Sequence, residues 1–358
     1  MNSPARPEVS VIIVVHNSTD VLGQCLQSLA NQRLESCEVI VADNASQADS
    51  HAIIQETYPT ARFVWLSENL GYGAGCNAGA AIARGDYLAF LNPDTAVDPN
   101  WLRPLIAALA ADPTVGAVTP KIVLMNDPGT INTCGNDVHF VGFPSCHRWG
   151  EKAAQIQEPA DVTSISGAAF LIERQLFQRL GGFDPRYFMY LEDTDLSWRL
   201  RLAGFRCRYI PQSLVRHRYA PAFSADKFFF LERNRHQLLL KNLAPSTLLA
   251  LLPALALAEF SVWGYALLRG RKHVASKWRS YGWLLRHWKT LRSSRSSVRP
   301  SDRRISEREL LRACSTRIAY DAAYGGQVAH GAAAILNPLY SLCRLLALSM
   351  LKADQQDC

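Results

Sequence analysis

Val9-Ser10-Val11-Ile12-Ile13-Val14-Val15 is a run of β-branched residues broken only by Ser10, and it decides how the rest of the chain is read. A strand covered on both faces has this composition, because neither face needs polar side chains. His16-Asn17-Ser18 ends the run, and Leu22, Leu26 and Leu29 then recur at helical spacing. Further strands are expected at 38–42, 62–66, 87–91 and 115–119. Helices are expected at 49–58, after Asn77, and around 101–111. Alternating β and α at these lengths predicts an α/β fold, a mostly parallel central sheet with helices on both faces.

In such sheets ligands gather beyond the carboxyl ends of the strands. Asp43-Asn44-Ala45-Ser46, the glycine-rich stretch from Asn69 through Gly71, Gly73 and Gly75 to Asn77, and Asn92-Pro93-Asp94-Thr95 all fall there. Glycines let backbone N–H groups approach a ligand, ahead of a helix N-terminus that favours anions. A tight turn with close helix packing accounts for the same glycines, and their spacing is not that of a dinucleotide fingerprint. In the third stretch Pro93 shapes a turn, and Asp94 offers a hard oxygen ligand just after a buried strand. One aspartate holds Mg²⁺ or Mn²⁺ poorly unless substrate phosphates and another ligand complete the shell. Asp98 is a second candidate, although Asp98-Pro99-Asn100 reads first as a helix start.

Further along, SISGAAFLI (164–172) reads as a buried strand, and a short helix ends at Gly181-Gly182. FDPRYFMY (183–190) then leads into Leu191-Glu192-Asp193-Thr194-Asp195-Leu196. Three carboxylates beside so many apolar side chains are poorly explained by solubility. A helix start favours ionised Asp193, while desolvation pushes the other way, so the pair could be tuned as a base. An acidic N-cap on an ordinary amphipathic helix is the plainer alternative.

The chain has 358 residues, 48% of them hydrophobic, and a net charge of +7 that is unevenly placed. Residues 269–317 hold fifteen Lys and Arg against Asp302, Glu307 and Glu309. That segment suits anionic lipid or a phosphorylated partner. No nucleic-acid-binding motif accompanies it, so no nucleic acid is expected. Nine scattered cysteines show no C-x-x-C spacing, which indicates neither a zinc site nor a disulfide framework. The N-terminus, MNSPARPEVS, has no apolar signal region, and a reducing cytoplasm is expected.

With VSVIIVVHN, VIVADNAS, ENLGYGAGCNAG, GDYLAFLNPDT, SGAAFLIER, LGGFDPRYFMYLEDTDLSWRLRLAGF and VRH in this order, the chain resembles the GT-A inverting glycosyltransferases of family 2 over 9–219. It is most similar to their bacterial rhamnosyltransferase-like branch. The resemblance implies a GT-A fold and a nucleotide-sugar donor, dTDP-rhamnose or a UDP-sugar. It implies that His16, Asn17 and Asp43 hold the base and ribose, and that Asn69, Gly71 and Asn77 line the nucleotide and phosphate region. Asp94 stands at the last position of the DxD-type motif and would bind a divalent metal, Mg²⁺ or Mn²⁺. Asn92 takes that motif's first acidic position. Asp193 would be the general base with Glu192 beside it, and His217 would complete the metal or diphosphate site. As a lone histidine in His217-Arg218-Tyr219, it is equally an exposed side chain.

Composition divides the chain into a catalytic region, 1–240, and an apolar and basic helical, membrane-associating extension, 241–358. The donor half of the first would be about 1–120 and the acceptor half about 121–240. Residues 121–159, rich in Gly, Pro, Asn and His, look like a long loop over the sheet end, a plausible acceptor lid. His139 and His147 there fit no metal-ligand spacing. A helix is expected over 223–242, its Arg233 and Arg235 facing solvent or an anionic substrate.

Residues 244–268 are nearly uncharged except for Glu259, with Pro245 and Pro253 as breaks; a second apolar stretch, 332–351, contains Pro338 and Arg344. A single crossing would export the basic segment against the positive-inside bias. The expectation is a peripheral or monotopic protein on the cytoplasmic face of the inner membrane, with Trp278, Trp283 and Trp288 at an anionic surface. The acceptor would be lipid-linked or a polysaccharide. Two other functions are open: a UDP-sugar-dependent hexosyl- or galactofuranosyl-transferase, and an inactive GT-A scaffold in glycan assembly.

Overall fold

Every residue of the opening run is buried in strand β1 (Val9–Val15). A computed structural model describes residues 6–33, 36–48, 50–219, 223–294, 303–318 and 326–351. After β1 come α1 (Thr19–Ala30), β2 (Cys37–Asn44), α2 (Ser50–Thr57), β3 (Arg62–Leu66), α3 (Tyr72–Ile82), β4 (Tyr87–Leu91), β5 (Thr95–Val97) and α4 (Leu102–Ala111). Asp49, at the start of the expected second helix, lies outside the described residues. The chain continues with β6 (Val115–Leu124), β7 (Asp127–Thr133), β8 (Asn136–Val138), β9 (Pro144–Cys146), β10 (Ala160–Val162), β11 (Ala169–Glu173), α5 (Arg174–Arg179), α6 (Glu192–Leu202) and β12 (Arg206–His217).

The large sheet has the order β10-β12-β6-β11-β4-β1-β2-β3, with β5 on β12 and β7 on β6. β3, β2, β1, β4, β6 and β12 share one direction, and β11 opposes its neighbours β4 and β6. This is the GT-A arrangement of a mixed, mostly parallel sheet. Alternate β1 residues feed two cores, Val9, Val11, Ile13 and Val15 on one face and Ile12 and Val14 on the other. That is why the run carries no polar face.

Two strands continue through a proline, the first of them beyond its expected end at 119. β6 continues through Pro120 to Leu124, and β12 through Pro211 to His217. The register shifts between Ile210 and Leu214, so Pro211 sits in a bulge where its missing N–H breaks no ladder bond. Residues 121–159 are therefore not a structureless loop. β7 pairs antiparallel with β6, and further short strands follow.

The described chain forms two compact units: Met1–Asn136, Cys146–Leu200 and Phe205–Ala220; and Asp137–Ser145, Arg201–Gly204 and Pro221–Cys358. The second contains α7 (Ala225–Asn242), α8 (Pro245–Ala250), α9 (Leu252–Arg269), α10 (Arg271–Arg286), α11 (Trp288–Ser294), α12 (Glu307–Ala313) and α13 (Gly326–Met350). Helix α7 thus groups with the helices after it, ahead of the compositional boundary at 240.

Arg233 and Arg235 are buried in α7 rather than solvated. Arg235 pairs with Glu232 and Glu259, and the fully buried Lys277 of α10 pairs with the same two carboxylates. Glu259, which interrupts the apolar stretch, joins α7, α9 and α10 through these pairs. Trp283 packs under the Arg233 guanidinium, 4.6 Å from the ring centroid, whereas Trp278 and Trp288 are exposed. Residues 295–302 of the basic segment lie outside the described residues. Among the described residues, Ala333–Met350 within α13 is long and apolar enough to cross a membrane, with mean hydropathy 1.4 and 11% of it buried.

Candidate active site

The segment entering α6 is held in an uncommon backbone shape. Phe188, Tyr190 and Leu191 have φ of 62°, 70° and 67°, a left-handed conformation that side chains disfavour. The glycine loop supports it. Tyr72 N–H donates to the Phe188 carbonyl at 2.7 Å. Gly71, at φ 86°, lies so close that a Cβ there would stand 2.2 Å from that oxygen. The close approach this glycine permits is to the chain itself. Gly75 and Gly79 likewise let α3 lie on Val14 and Ile12. The Asn77 amide is engaged with the Phe183 main chain, donating at 2.8 Å and accepting at 2.9 Å, and so staples α3 to the same segment.

Asp193 emerges from this support in the first turn of α6, buried and well bonded. Its Oδ2 accepts from Gly167 N–H at 2.8 Å and from Asn136 Nδ2 at 3.2 Å. Its Oδ1 accepts from Thr194 N–H at 2.7 Å. Burial pushes the Asp193 carboxyl above its ordinary range, and the Gly167 and Thr194 donors oppose the shift. Glu192 is also buried, and its Oε2 has no hydrogen-bond partner among the described residues. Burial first and the Asp193 charge second push it well above the ordinary range. Of the pair, Asp193 is the one built to ionise. Asp195 has a structural task, pairing with Arg199 at 2.9 Å, whose guanidinium also donates to the Leu180 and Gly182 carbonyls.

Asp94 lies between β4 and β5. Pairing of β5 with β12 sets Thr95 opposite His217, which brings His217 Nε2 to 3.3 Å from Asp94 Oδ1. His217 is 7% exposed, so the alternative of a solvated histidine does not hold. Its Nδ1 donates to Asn132 Oδ1 at 2.7 Å. Asp94 Oδ1 is buried with no hydrogen bond among the described residues. A carboxylate oxygen of that kind facing an imidazole nitrogen fits Mn²⁺ or Mg²⁺, with remaining ligands from substrate phosphate and water. Asp98 is occupied with its own turn, accepting from Asn100 N–H at 3.1 Å.

One turn joins these two groups. Gly167 donates to Asp193 and accepts from Tyr72 Oη at 2.7 Å, and the next carbonyl, of Ala168, accepts from Asn92 N–H at 2.9 Å. At the other strand ends, His16 and Asn17 are exposed, with Asn17 Oδ1 accepting from Gln47 N–H at 2.8 Å. Asp43 is fully buried and accepts from Ser46 N–H at 2.7 Å and from Ser50 Oγ, which shapes the loop after β2. Asn69 Oδ1 accepts from Asn44 Nδ2 at 2.9 Å, and Asn44 Oδ1 accepts from Leu70 N–H at 2.9 Å.

Asn44, Asn132 and Asn136 were not singled out from sequence. Their only signal is an amide among residues otherwise suited to strands. A second acidic group, Glu232, His236 and Glu259, has metal-like spacing, but Arg235 and Lys277 already neutralise its carboxylates. It does not fit a cation.

The glycosyl transferase family 2 model matches residues 10–181. An N-acetylglucosaminyl-diphospho-decaprenol L-rhamnosyltransferase of Mycobacterium tuberculosis is 31% identical over 241 residues, covering 60% of this chain and 78% of that protein. The O-antigen biosynthesis protein RfbC of Myxococcus xanthus is 31% identical over 231 residues, 62% of this chain but 18% of that much longer one. A solved structure of GalNAc-T7 with UDP, GalNAc and Mn²⁺ superposes with a TM-score of 0.53 at 18% identity, over 66% of this chain and 48% of that one. This last likeness is one of fold.

Proposed function

The chain belongs to glycosyl transferase family 2 and is a glycosyltransferase, and from that premise we propose that it is an inverting, metal-dependent hexosyltransferase. The observation that carries this reading is the Asp193 carboxylate, held on α6 by Gly167, Asn136 and Thr194 and joined through one turn to the Asn92–Asp94 loop. Asp193 takes the proton of an acceptor hydroxyl as that oxygen attacks the anomeric carbon of the donor. The new glycosidic bond forms as the bond to the diphosphate breaks, and the diphosphate leaves with the electron pair. One such displacement inverts configuration and needs no covalent nucleophile. Asp94 and His217 would hold the divalent cation, whose chemistry is to offset the charge gathering on the leaving diphosphate. Asn69, Gly71 and the strand-end residues His16, Asn17 and Asp43 form the donor side.

The donor is dTDP-rhamnose and the acceptor a lipid-linked or cell-surface polysaccharide precursor. Support comes from the printed activity of the Mycobacterium relative, which names both a rhamnosyl group and a diphospho-decaprenol lipid. A panel of dTDP- and UDP-sugars, read by released nucleoside diphosphate, tests it. Turnover of a UDP-hexose with dTDP-rhamnose inert moves the assignment to the hexosyl- or galactofuranosyl-transferase alternative. No release from any donor leaves the inactive scaffold.

The protein works on the cytoplasmic face of the inner membrane, lying on it. Helix α10 supports this placement because its amphipathic sense is inverted. It buries Ser276, Lys277 and Ser280, while Trp278 and Leu285, seven residues apart and so on one stripe, are 63% and 78% exposed. Exposed Arg279 and Arg286 form a second stripe beside them. Apolar and cationic stripes facing outward suit an anionic lipid surface. Co-sedimentation with phosphatidylglycerol-containing vesicles, lost in Trp278→Glu/Leu285→Glu, is the expected result, and indifference to vesicles would refute the placement.

A further inference from the structure

We propose that Asn132 is a positioning residue for the metal: its amide oxygen fixes the ring of His217 so that Nε2 faces Asp94 with a lone pair. This rests on the metal reading above and adds a residue outside every motif that carries the family resemblance. The amide oxygen can only accept, so at 2.7 Å the proton between Asn132 Oδ1 and His217 Nδ1 belongs to the ring. With Nδ1 committed as the donor, Nε2 is the ring nitrogen left to ligate a cation beside Asp94. That nitrogen stands 3.3 Å from Asp94 Oδ1, an oxygen with no hydrogen bond among the described residues. A divalent cation placed between these two atoms would be ligated by both.

The rest of the geometry says that the amide is held for this contact. Asn132 is 1% exposed, and its Nδ2 finds no partner among the described residues. An unsatisfied buried donor is destabilising, so core packing alone would favour an apolar residue. The contact also crosses a strand: β7 and β12 lie on opposite sides of β6, with Ile131 and Thr133 paired to Val123 and Ile122, and His217 paired to Leu124. Partners outside the ligands that orient a metal-binding histidine typically change metal affinity by about 10–100-fold when removed.

The test measures Mn²⁺ binding by the full chain, with free ion followed by electron paramagnetic resonance and inorganic pyrophosphate present as the phosphate probe. Asn132→Leu, similar in size and without an acceptor, should weaken Mn²⁺ by about 10–100-fold. Asn132→Asp keeps an acceptor at Nδ1 and should bind within a few-fold of wild type. It also keeps the test decisive if the leucine variant fails to fold, which thermal melting reports. Unchanged Mn²⁺ affinity in a folded Asn132→Leu, or an aspartate variant as weak as the leucine one, overturns the proposal. Mn²⁺ binding that is lost in Asp94→Ala but unchanged in Asn132→Leu removes only this role. Binding indifferent to Asp94→Ala removes the metal reading beneath it.

Discussion

The backbone N–H of Gly167 points at Oδ2 of Asp193 from 2.8 Å, and a Cβ built on that glycine would stand 3.2 Å from the same oxygen. Glycine is therefore the residue that both donates to the Asp193 carboxylate and leaves room for it. The carbonyl of Ala168, the next residue, takes the Asn92 N–H, so Asp193 and the Asp94 loop are joined through one turn. A reaction that moves a proton on one side of a sugar and a diphosphate on the other needs its two groups held at fixed separation.

Asp193→Asn keeps the shape of the side chain and removes its basicity. Turnover should fall by about 100-fold or more, with donor affinity little changed. Glu192→Gln should retain most activity, because burial and the neighbouring Asp193 charge favour the protonated form of Glu192. Steady-state kinetics of both variants check this, and a dead Glu192→Gln beside an active Asp193→Asn would transfer the role.

The pH profile follows from the direction of the shift. Burial raises the Asp193 carboxyl, so the acidic limb of kcat/KM should lie above the ordinary aspartate range, with activity lost as pH falls through the raised value. Stability has the opposite sense. Raised carboxyl pKa values at Glu192 and Asp193 mean that the folded state holds protons more tightly. Their contribution is greatest below the unfolded-state values and declines as pH rises toward the folded ones. Glu192→Gln should flatten that decline in urea unfolding.

Gly71→Ala forces a side chain onto a φ of 86° and against the Phe188 carbonyl. The conformation alone, with ψ of 170°, costs about 1–3 kcal/mol, and the clash adds to it. Because Phe188 leads into Asp193, turnover should drop along with the melting temperature. An alanine variant with normal activity and melting would show that the glycine loop and the acidic segment are not coupled.

Glu232→Gln should destabilise the helical unit by about 3–5 kcal/mol, because it strips a charge from between buried Arg235 and Lys277. Arg235 and Lys277 help to hold the Glu232 carboxyl down to about 2 against its own desolvation. Its contribution is therefore present above the ordinary glutamate range and lost as pH falls toward about 2. Tryptophan fluorescence through a urea titration at several pH values reads both effects.

Removal of divalent cations with EDTA should abolish donor turnover, and added Mn²⁺ should restore it in wild type but not in Asp94→Ala. Full activity in EDTA would end the metal reading for Asp94 and His217 together.

The alternation of strands and helices through 9–111 was legible because burial on two faces, or on one helical stripe, leaves its period in neighbouring residues. Glu192-Asp193 and Asn92-Pro93-Asp94 were legible for a similar reason, since carboxylates in apolar surroundings stand out locally. Only the tertiary structure could show that β6 and β12 run through Pro120 and Pro211, because a bulge that spares a missing N–H depends on the partner strand. Only it could show that Gly71 serves the approach of Phe188, that Arg235 is buried against Glu232 and Glu259, and that Asn132 and Asn136 reach His217 and Asp193. Apart from the Arg235–Glu232 pair on one helix turn, these are contacts between residues apart in the chain, and the environment that selects them exists only once the fold has removed both partners from water.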